Sequence, residues 1–195
     1  MQKSILRKAA LAQRLALTDT EYQQLNESLL ESFKTLSFEG YKAILVFLPI
    51  KSKKEPDTFL LINWLKQKYP ELKILVPAAD FNTHLMTTHY YTSPDELILN
   101  AYGIPEPSTN SAANIEPDLV LIPLLAFDKQ GYRVGYGKGF YDRYLAGKKS
   151  FKLGISFFPA QTEIKDVHLN DIKLDACLTP TGILYFNHAN HGKGI

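Results

Sequence analysis

The sequence predicts an α/β fold: a single domain over residues 1–195, with a mostly parallel sheet, helices on both of its faces and two helices at the N-terminus. Three observations carry this. Short apolar, β-prone runs alternate with stretches of helical periodicity, the pattern of strands linked by crossover helices. The alternation continues on both sides of a polar, proline-bearing loop at 105–113, so that loop reads as a connection within one domain. Finally, 195 residues at 45% hydrophobic and 22% charged suit one globular core, and no internal repeat is present.

The chain opens with a helix over residues 3–17, where Ile5, Leu6, Ala9, Leu11, Ala12 and Leu15 fall at near-helical spacing. Lys3, Arg7 and Arg14 share one face of it. Thr18 followed by Glu21 has the spacing of a capping box and starts a second helix over 19–36. Residues 43–48 read as a strand, 57–69 as a helix built on Leu60, Leu61, Trp64 and Leu65, and 73–76 as a strand again. The strand signal recurs at 118–122, 152–156 and 183–186, with helix-compatible 140–145 between the first two. Alternation of this kind implies a largely parallel sheet covered on both faces.

Composition narrows the function classes. A net charge of +2, from 22 Lys and Arg against 20 Asp and Glu, gives no protein-wide basic surface for nucleic acid. Any anion site is therefore local. The most apolar run, 119–127, is broken by Pro123 and stops at Asp128, well short of the roughly 20 residues of a membrane span. Cys177 is the sole cysteine, and the start M-Q-K-S-I-L-R-K-A-A lacks the apolar stretch of a signal peptide. A cytoplasmic monomer is the expectation. In the tail after residue 187, His188 and His191 read as solvated rather than metal-binding.

Residues 131–144 read G-Y-R-V-G-Y-G-K-G-F-Y-D-R-Y. This segment follows the carboxyl end of the 118–122 strand, the edge at which open α/β sheets bind ligands. Gly135, Gly137 and Gly139 let backbone N–H groups approach a ligand, and Phe140 onward resembles a first helical turn, whose free N–H groups favour an anion. Between 128 and 149 the cations are Lys129, Arg133, Lys138, Arg143, Lys148 and Lys149, against Asp128 and Asp142 alone. Together these fit a phosphate cradle; the same glycines also serve a tight turn flanked by solvated charges.

Two familiar phosphate loops are excluded by position. A Walker loop needs Ser or Thr after Gly137-Lys138, where Gly139 stands, and a dinucleotide fingerprint needs glycine where Phe140 or Asp142 stands. Asp142 is a carboxylate in the most cationic part of the chain. It reads either as a Mg2+ ligand beside bound phosphate or as an ion-pair partner of Arg143 or Lys138.

The run L-I-P-L-L-A-F-D-K-Q-G-Y-R-V-G-Y-G-K-G-F-Y-D-R-Y-L resembles the signature of the 5-formyltetrahydrofolate cyclo-ligase family. Further matches keep the family's order: K-S-I-L-R at 3–7, E-P-D-T at 55–58, G-I-P-E-P at 103–107 and L-N-D-I-K-L-D near the C-terminus. The resemblance implies an ATP- and Mg2+-dependent ligase of one-carbon folate metabolism. Its reaction converts 5-formyltetrahydrofolate into 5,10-methenyltetrahydrofolate with release of ADP and phosphate, through phosphorylation of the formyl oxygen and attack by N10.

Carried over by position, the resemblance implies ATP contacts at Lys3, Ser4, Ile5, Leu6 and Arg7, and along the loop at Arg133, Val134, Gly135, Tyr136, Gly137, Lys138, Gly139, Phe140 and Tyr141. Arg133 and Lys138 take the catalytic role of neutralising charge on the transferred phosphoryl group. Ile50, Glu55 and the loop residues Tyr136, Gly137, Lys138, Gly139 and Phe140 border the folate, with Glu55 on the pterin, whose N–C(NH2)–N edge offers paired donors. Asp142 and Asp171 correspond to the Mg2+ carboxylates. Outside the resemblance, Lys3 and Arg7 read as a solvated helix face, Glu55 as a turn acid beside Lys54, and Asp171 as a turn residue after Asn170.

Some positions depart from the family pattern. Lys138 stands where many relatives have a small residue, and Val134 where they have leucine. Residues 80–91 match least, which leaves open which of Phe81, Met86, Tyr90 and Tyr91 walls the folate. His84, His89 and His168 receive no role.

Overall fold

A computed structural model of the protein describes residues 1–108, 112–161 and 163–186. Thr109, Asn110 and Ser111 of the proline loop, and the tail with His188 and His191, lie outside the described residues. The helices are α1 Lys3–Leu15, α2 Asp19–Lys34, α3 Thr58–Lys68 and α4 Phe140–Leu145. The strands are β1 Ala43–Leu45, β2 Lys73–Asp80, β3 Leu85–Tyr90, β4 Leu97–Leu99, β5 Pro105–Pro107, β6 Leu119–Pro123, β7 Ala126–Phe127, β8 Arg133–Val134, β9 Phe151–Ile155, β10 Ala176–Thr179 and β11 Gly182–Tyr185.

Seven strands form one sheet in the order β11-β10-β9-β6-β1-β2-β3. The five inner strands pair in parallel, and an antiparallel strand, β11 or β3, closes each edge. β6, the most apolar run of the sequence, is the middle strand. Alternate residues of the inner strands are buried on opposite faces, which is why these strands read as continuous apolar runs. On one face Ile44, Leu119, Leu121 and Leu153 pack with Leu29 and Phe33 of α2 and Leu61 and Leu65 of α3. On the other, Leu45, Val120 and Ile122 pack with Leu145 of α4 and with Phe127, Leu174 and Phe186.

The sequence signals hold where they are local. Thr18 Oγ1 accepts from the Glu21 N–H at 3.2 Å, and Glu21 Oε2 accepts from the Thr18 N–H at 2.7 Å, the reciprocal box that starts α2. α3 starts where the Asp57 carboxylate accepts from the Phe59 N–H at 3.1 Å. β1 is shorter than the apolar run 43–48: after the Val46 N–H bonds Leu75 the chain leaves the ladder, and Phe47 and Leu48 turn into the wall of a cavity. β2 runs on to Asp80, beyond the expected end at 76, because it pairs with β3 all the way to Leu85.

Gly154 of β9 faces the second core layer with no room to spare. A Cβ there would sit 2.7 Å from Leu174 Cδ1 and 2.8 Å from Leu124 Cδ2, both in the core. Gly154→Ala is expected to lower the unfolding free energy by about 1–3 kcal/mol, the usual cost of overpacking. Urea denaturation measures it, with an unchanged midpoint as the contrary result.

Candidate active site

Beyond the carboxyl ends of the central strands lies a cavity of about 660 Å³, within the size range of small-molecule sites. β6 reaches it through Pro123, and the segment after β1 through Phe47 and Leu48. α1 lies across it and sends down Lys3 and Arg7, which confirms that these two cations share a face. Leu6, buried between them in sequence, anchors the helix against Leu125, Ala126 and Val134. Ser4 and Ile5 point to solvent, so of the segment 3–7 only Lys3 and Arg7 line the cavity.

The whole stretch from Arg133 to Asp142 lines one wall. β8 holds its start and α4 its end, with Gly139 in the left-handed region at φ 70° as the residue before α4. Gly137 also has positive φ, 87°, and a Cβ on it would lie 3.1 Å from Arg7 Nη2. These two glycines are required by the backbone. Gly135 has neither constraint and instead offers its carbonyl to Arg7 Nε at 2.8 Å. Val134 is buried beneath the loop. The Lys138 side chain is exposed at the rim, and its ammonium has no hydrogen-bond or ion-pair partner among the described residues.

Arg133 and Asp142 face each other across the loop: Nη2 donates to Asp142 Oδ1 at 2.7 Å, while Nη1 donates to the Ile172 carbonyl. The ion-pair partner of Asp142 is therefore Arg133, and not Arg143 or Lys138. Arg143 instead donates Nε to the His84 carbonyl at 2.9 Å and Nη2 to the Lys138 carbonyl, which ties the β2–β3 hairpin tip to the glycine loop. Asp142 also accepts from the Ile172 N–H at 3.1 Å, so the residue next to Asp171 touches Asp142. Asp171 bonds Lys3 Nζ and accepts from the His168 N–H at 2.6 Å. Partial burial would raise the Asp171 pKa, but the Lys3 ammonium and the His168 N–H outweigh it and hold the carboxyl below its usual range.

Across the cavity Glu55 is 2% exposed. Its Oε2 accepts from the Ile50 N–H at 2.8 Å and its Oε1 from the Tyr136 hydroxyl at 2.9 Å. The Arg14 guanidinium lies 3.9 Å from Oε1, donates to the same Tyr136 hydroxyl, and is itself only 4% exposed. Burial pushes the Glu55 carboxyl up, opposed by the Ile50 N–H, Arg14 and Tyr136. The same network drives the Tyr136 phenol up, through burial and the adjacent Glu55 charge.

Sequence reasoning did not assign Arg14, although its place on the Lys3 and Arg7 face was visible. It also did not assign an aromatic rim: Phe81 stacks on Tyr102 with centroids 3.9 Å apart and meets Phe140 edge-on at 5.1 Å. Of the four candidates at 80–91, Phe81 and Met86 line the cavity, whereas Tyr91 is buried in the core and Tyr90 is exposed. His168 lines the cavity beside Asp171; His84 and His89 do not.

Comparison with known proteins gives a consistent result. The 5-formyltetrahydrofolate cyclo-ligase family model matches residues 1–180. A 5-formyltetrahydrofolate cyclo-ligase of Haemophilus influenzae is 34% identical over 173 residues, covering 82% of this chain and 90% of that protein. The NMR structure of the Aquifex aeolicus 5,10-methenyltetrahydrofolate synthetase superposes with a TM-score of 0.79 at 30% identity, covering 100% of this chain and 97% of the other. A 5,10-methenyltetrahydrofolate synthetase from Mycoplasma pneumoniae gives 0.67 at 26% identity, covering 91% and 98%. With the family model matched from the first residue to 180 and the fold shared with both solved synthetases, this chain belongs to the 5-formyltetrahydrofolate cyclo-ligase family of enzymes.

Proposed function

We propose that the protein converts 5-formyltetrahydrofolate and ATP, with Mg2+, into 5,10-methenyltetrahydrofolate, ADP and phosphate. The observation that carries this reading is a single cavity with two chemically different walls. One is the cationic glycine loop, and the other holds a buried carboxylate, Glu55, paired with Arg14. A phosphate chain suits the first, and the donor edge of a pterin suits the second.

In this reading Lys3, Arg7 and Lys138 offset the charge of the phosphates, and the loop N–H groups at Gly137 and Gly139 approach them. The formyl oxygen attacks the γ-phosphorus and ADP leaves; N10 then closes on the activated carbon, loses its proton and expels phosphate. Arg133 and Lys138 neutralise charge as it develops, and the Phe81–Tyr102–Phe140 rim keeps bulk water from the activated carbon. Asp142 and Asp171 fit Mg2+, which takes one or two carboxylates and completes its shell with phosphate oxygens and water. When bound, the ion would supply positive charge that offsets the phosphates. Among the described residues no cluster of three or more His, Cys, Asp or Glu forms a metal cage, so the donor set suits an ion that arrives with the nucleotide.

ADP release followed with 5-formyltetrahydrofolate present and absent tests the reading. Release that requires the folate supports it, whereas nucleotide binding without folate-dependent release contradicts the substrate assignment. Lys138→Met removes an ammonium with no other partner among the described residues, so the fold is retained. Its KM for ATP is expected to rise about tenfold, the loss of one charge-assisted contact, and steady-state kinetics at saturating folate reads it.

A further inference from the structure

Tyr136 sits between Gly135 and Gly137 on the phosphate-facing wall, yet its side chain crosses to the opposite wall. Its hydroxyl donates to Glu55 Oε1 at 2.9 Å and accepts from Arg14 Nη2. Arg14 cannot wander: Nε donates to the Lys53 carbonyl at 2.8 Å and Nη1 to the Leu124 carbonyl at 3.3 Å. The phenol therefore stands between a fixed cation and the carboxylate. We propose that Arg14 and Tyr136 are positioning residues that hold Glu55 ionised and aimed at the folate, so that the nucleotide loop itself completes the pterin subsite. This rests on the reaction proposed above.

The groups around Glu55 support it. Arg14 faces it from α1, Tyr22 from α2 with its hydroxyl on the Glu55 carbonyl at 2.7 Å, Tyr136 from the loop and Tyr141 from α4, while Lys53 and Lys54 precede it in the chain. Among the described residues, only Tyr136 and the Ile50 N–H hydrogen-bond its carboxylate oxygens. An N–C(NH2)–N edge is recognised by an ionised carboxylate, since a protonated one loses an acceptor. Burial works against that ionisation, and Tyr136 and Arg14 oppose the burial. Losing the Tyr136 hydroxyl should thus move the acid limb of activity to higher pH.

The experiment compares Tyr136→Phe with Tyr22→Phe in the full-length enzyme, measuring kcat/KM for 5-formyltetrahydrofolate from pH 5 to 8 at saturating ATP and Mg2+. Both lose one hydroxyl bonded to Glu55, but Tyr22 serves the backbone carbonyl and Tyr136 the carboxylate. We expect Tyr136→Phe to raise the folate KM about tenfold and to shift the acid limb upward, with Tyr22→Phe leaving the limb in place. Arg14→Lys, which keeps the charge, should shift the limb less than Tyr136→Phe does. An unmoved limb in Tyr136→Phe, or equal movement in both phenylalanine variants, overturns the inference. A wild-type enzyme that does not turn over the folate would instead overturn the proposed reaction, so the two failures are distinguishable.

Discussion

Asp142→Asn is expected to fold normally and to lose turnover by about 100- to 1000-fold, the scale of removing one electrostatic contact to a transition state. The substitution keeps an oxygen for the Ile172 N–H, which bonds Asp142 at 3.1 Å, and it leaves Arg133 its bond to the Ile172 carbonyl. What it removes is charge. In the proposed reading the loop then retains its cations but loses one of the two carboxylates assigned to a divalent ion beside the phosphates. The loss should appear in kcat and in the Mg2+ concentration needed for half-maximal rate. ATP-induced thermal stabilisation measured at several Mg2+ concentrations gives an independent readout, with the Mg2+-dependent part diminished. Full activity in Asp142→Asn would contradict the assignment and leave Asp142 as the ion-pair partner of Arg133 alone.

Arg14→Met should be the most destabilising of the substitutions considered, by about 3–5 kcal/mol, because removing one partner of a buried pair strands the other charge. Arg14 and Glu55 are 4% and 2% exposed, and Arg14 also serves the Lys53 and Leu124 carbonyls, which would lose donors. The effect carries a pH signature. Burial raises the Glu55 pKa in the folded state above its unfolded value. Its contribution to stability is therefore fully present below the ordinary glutamate range and is lost as pH rises through the folded pKa. Removing Arg14 raises that folded pKa further, so the penalty should be larger at pH 8 than at pH 5. Urea unfolding at both values reads the difference. An equal loss at both would mean that packing, and not the stranded carboxylate, sets the cost.

The parts of the fold that were legible in the sequence are those fixed by local chemistry. The Thr18–Glu21 box lies three residues apart, and the helix at 140–145 follows directly from the glycine run. The middle strand β6 is apolar at Leu119, Val120, Leu121 and Ile122 because both its faces are covered. β3 was not legible: Thr87 and Thr88 interrupt its apolar pattern, and as an edge strand it needs only one covered side. β10 is four residues, Ala176–Thr179, too short for any period to show, and it gains its place by pairing with β9 and β11.

The site divides in the same way. The loop, Glu55 and the two aspartates stand out as motifs, whereas the link between them does not. Arg14 is 41 residues from Glu55 in the chain, and Tyr136 is 81 from it. Nothing in local spacing announces that one phenol meets both. Likewise Phe81 and Tyr102 are distant in the chain yet form a stacked pair, beside a hairpin tip whose His84 carbonyl accepts from Arg143. The departure of residues 80–91 from the family pattern thus falls on a cavity wall.

In the proposed reading one cavity joins phosphoryl transfer to ring closure on a folate, and near-ultraviolet absorbance follows that reaction itself. The methenyl product is conjugated and absorbs where 5-formyltetrahydrofolate does not. Purified protein mixed with the folate, ATP and Mg2+ should give a rise in absorbance that disappears when either ATP or Mg2+ is omitted. A folded, ATP-binding protein that gives no rise would contradict the account and point to another amide-bearing substrate for the same cradle.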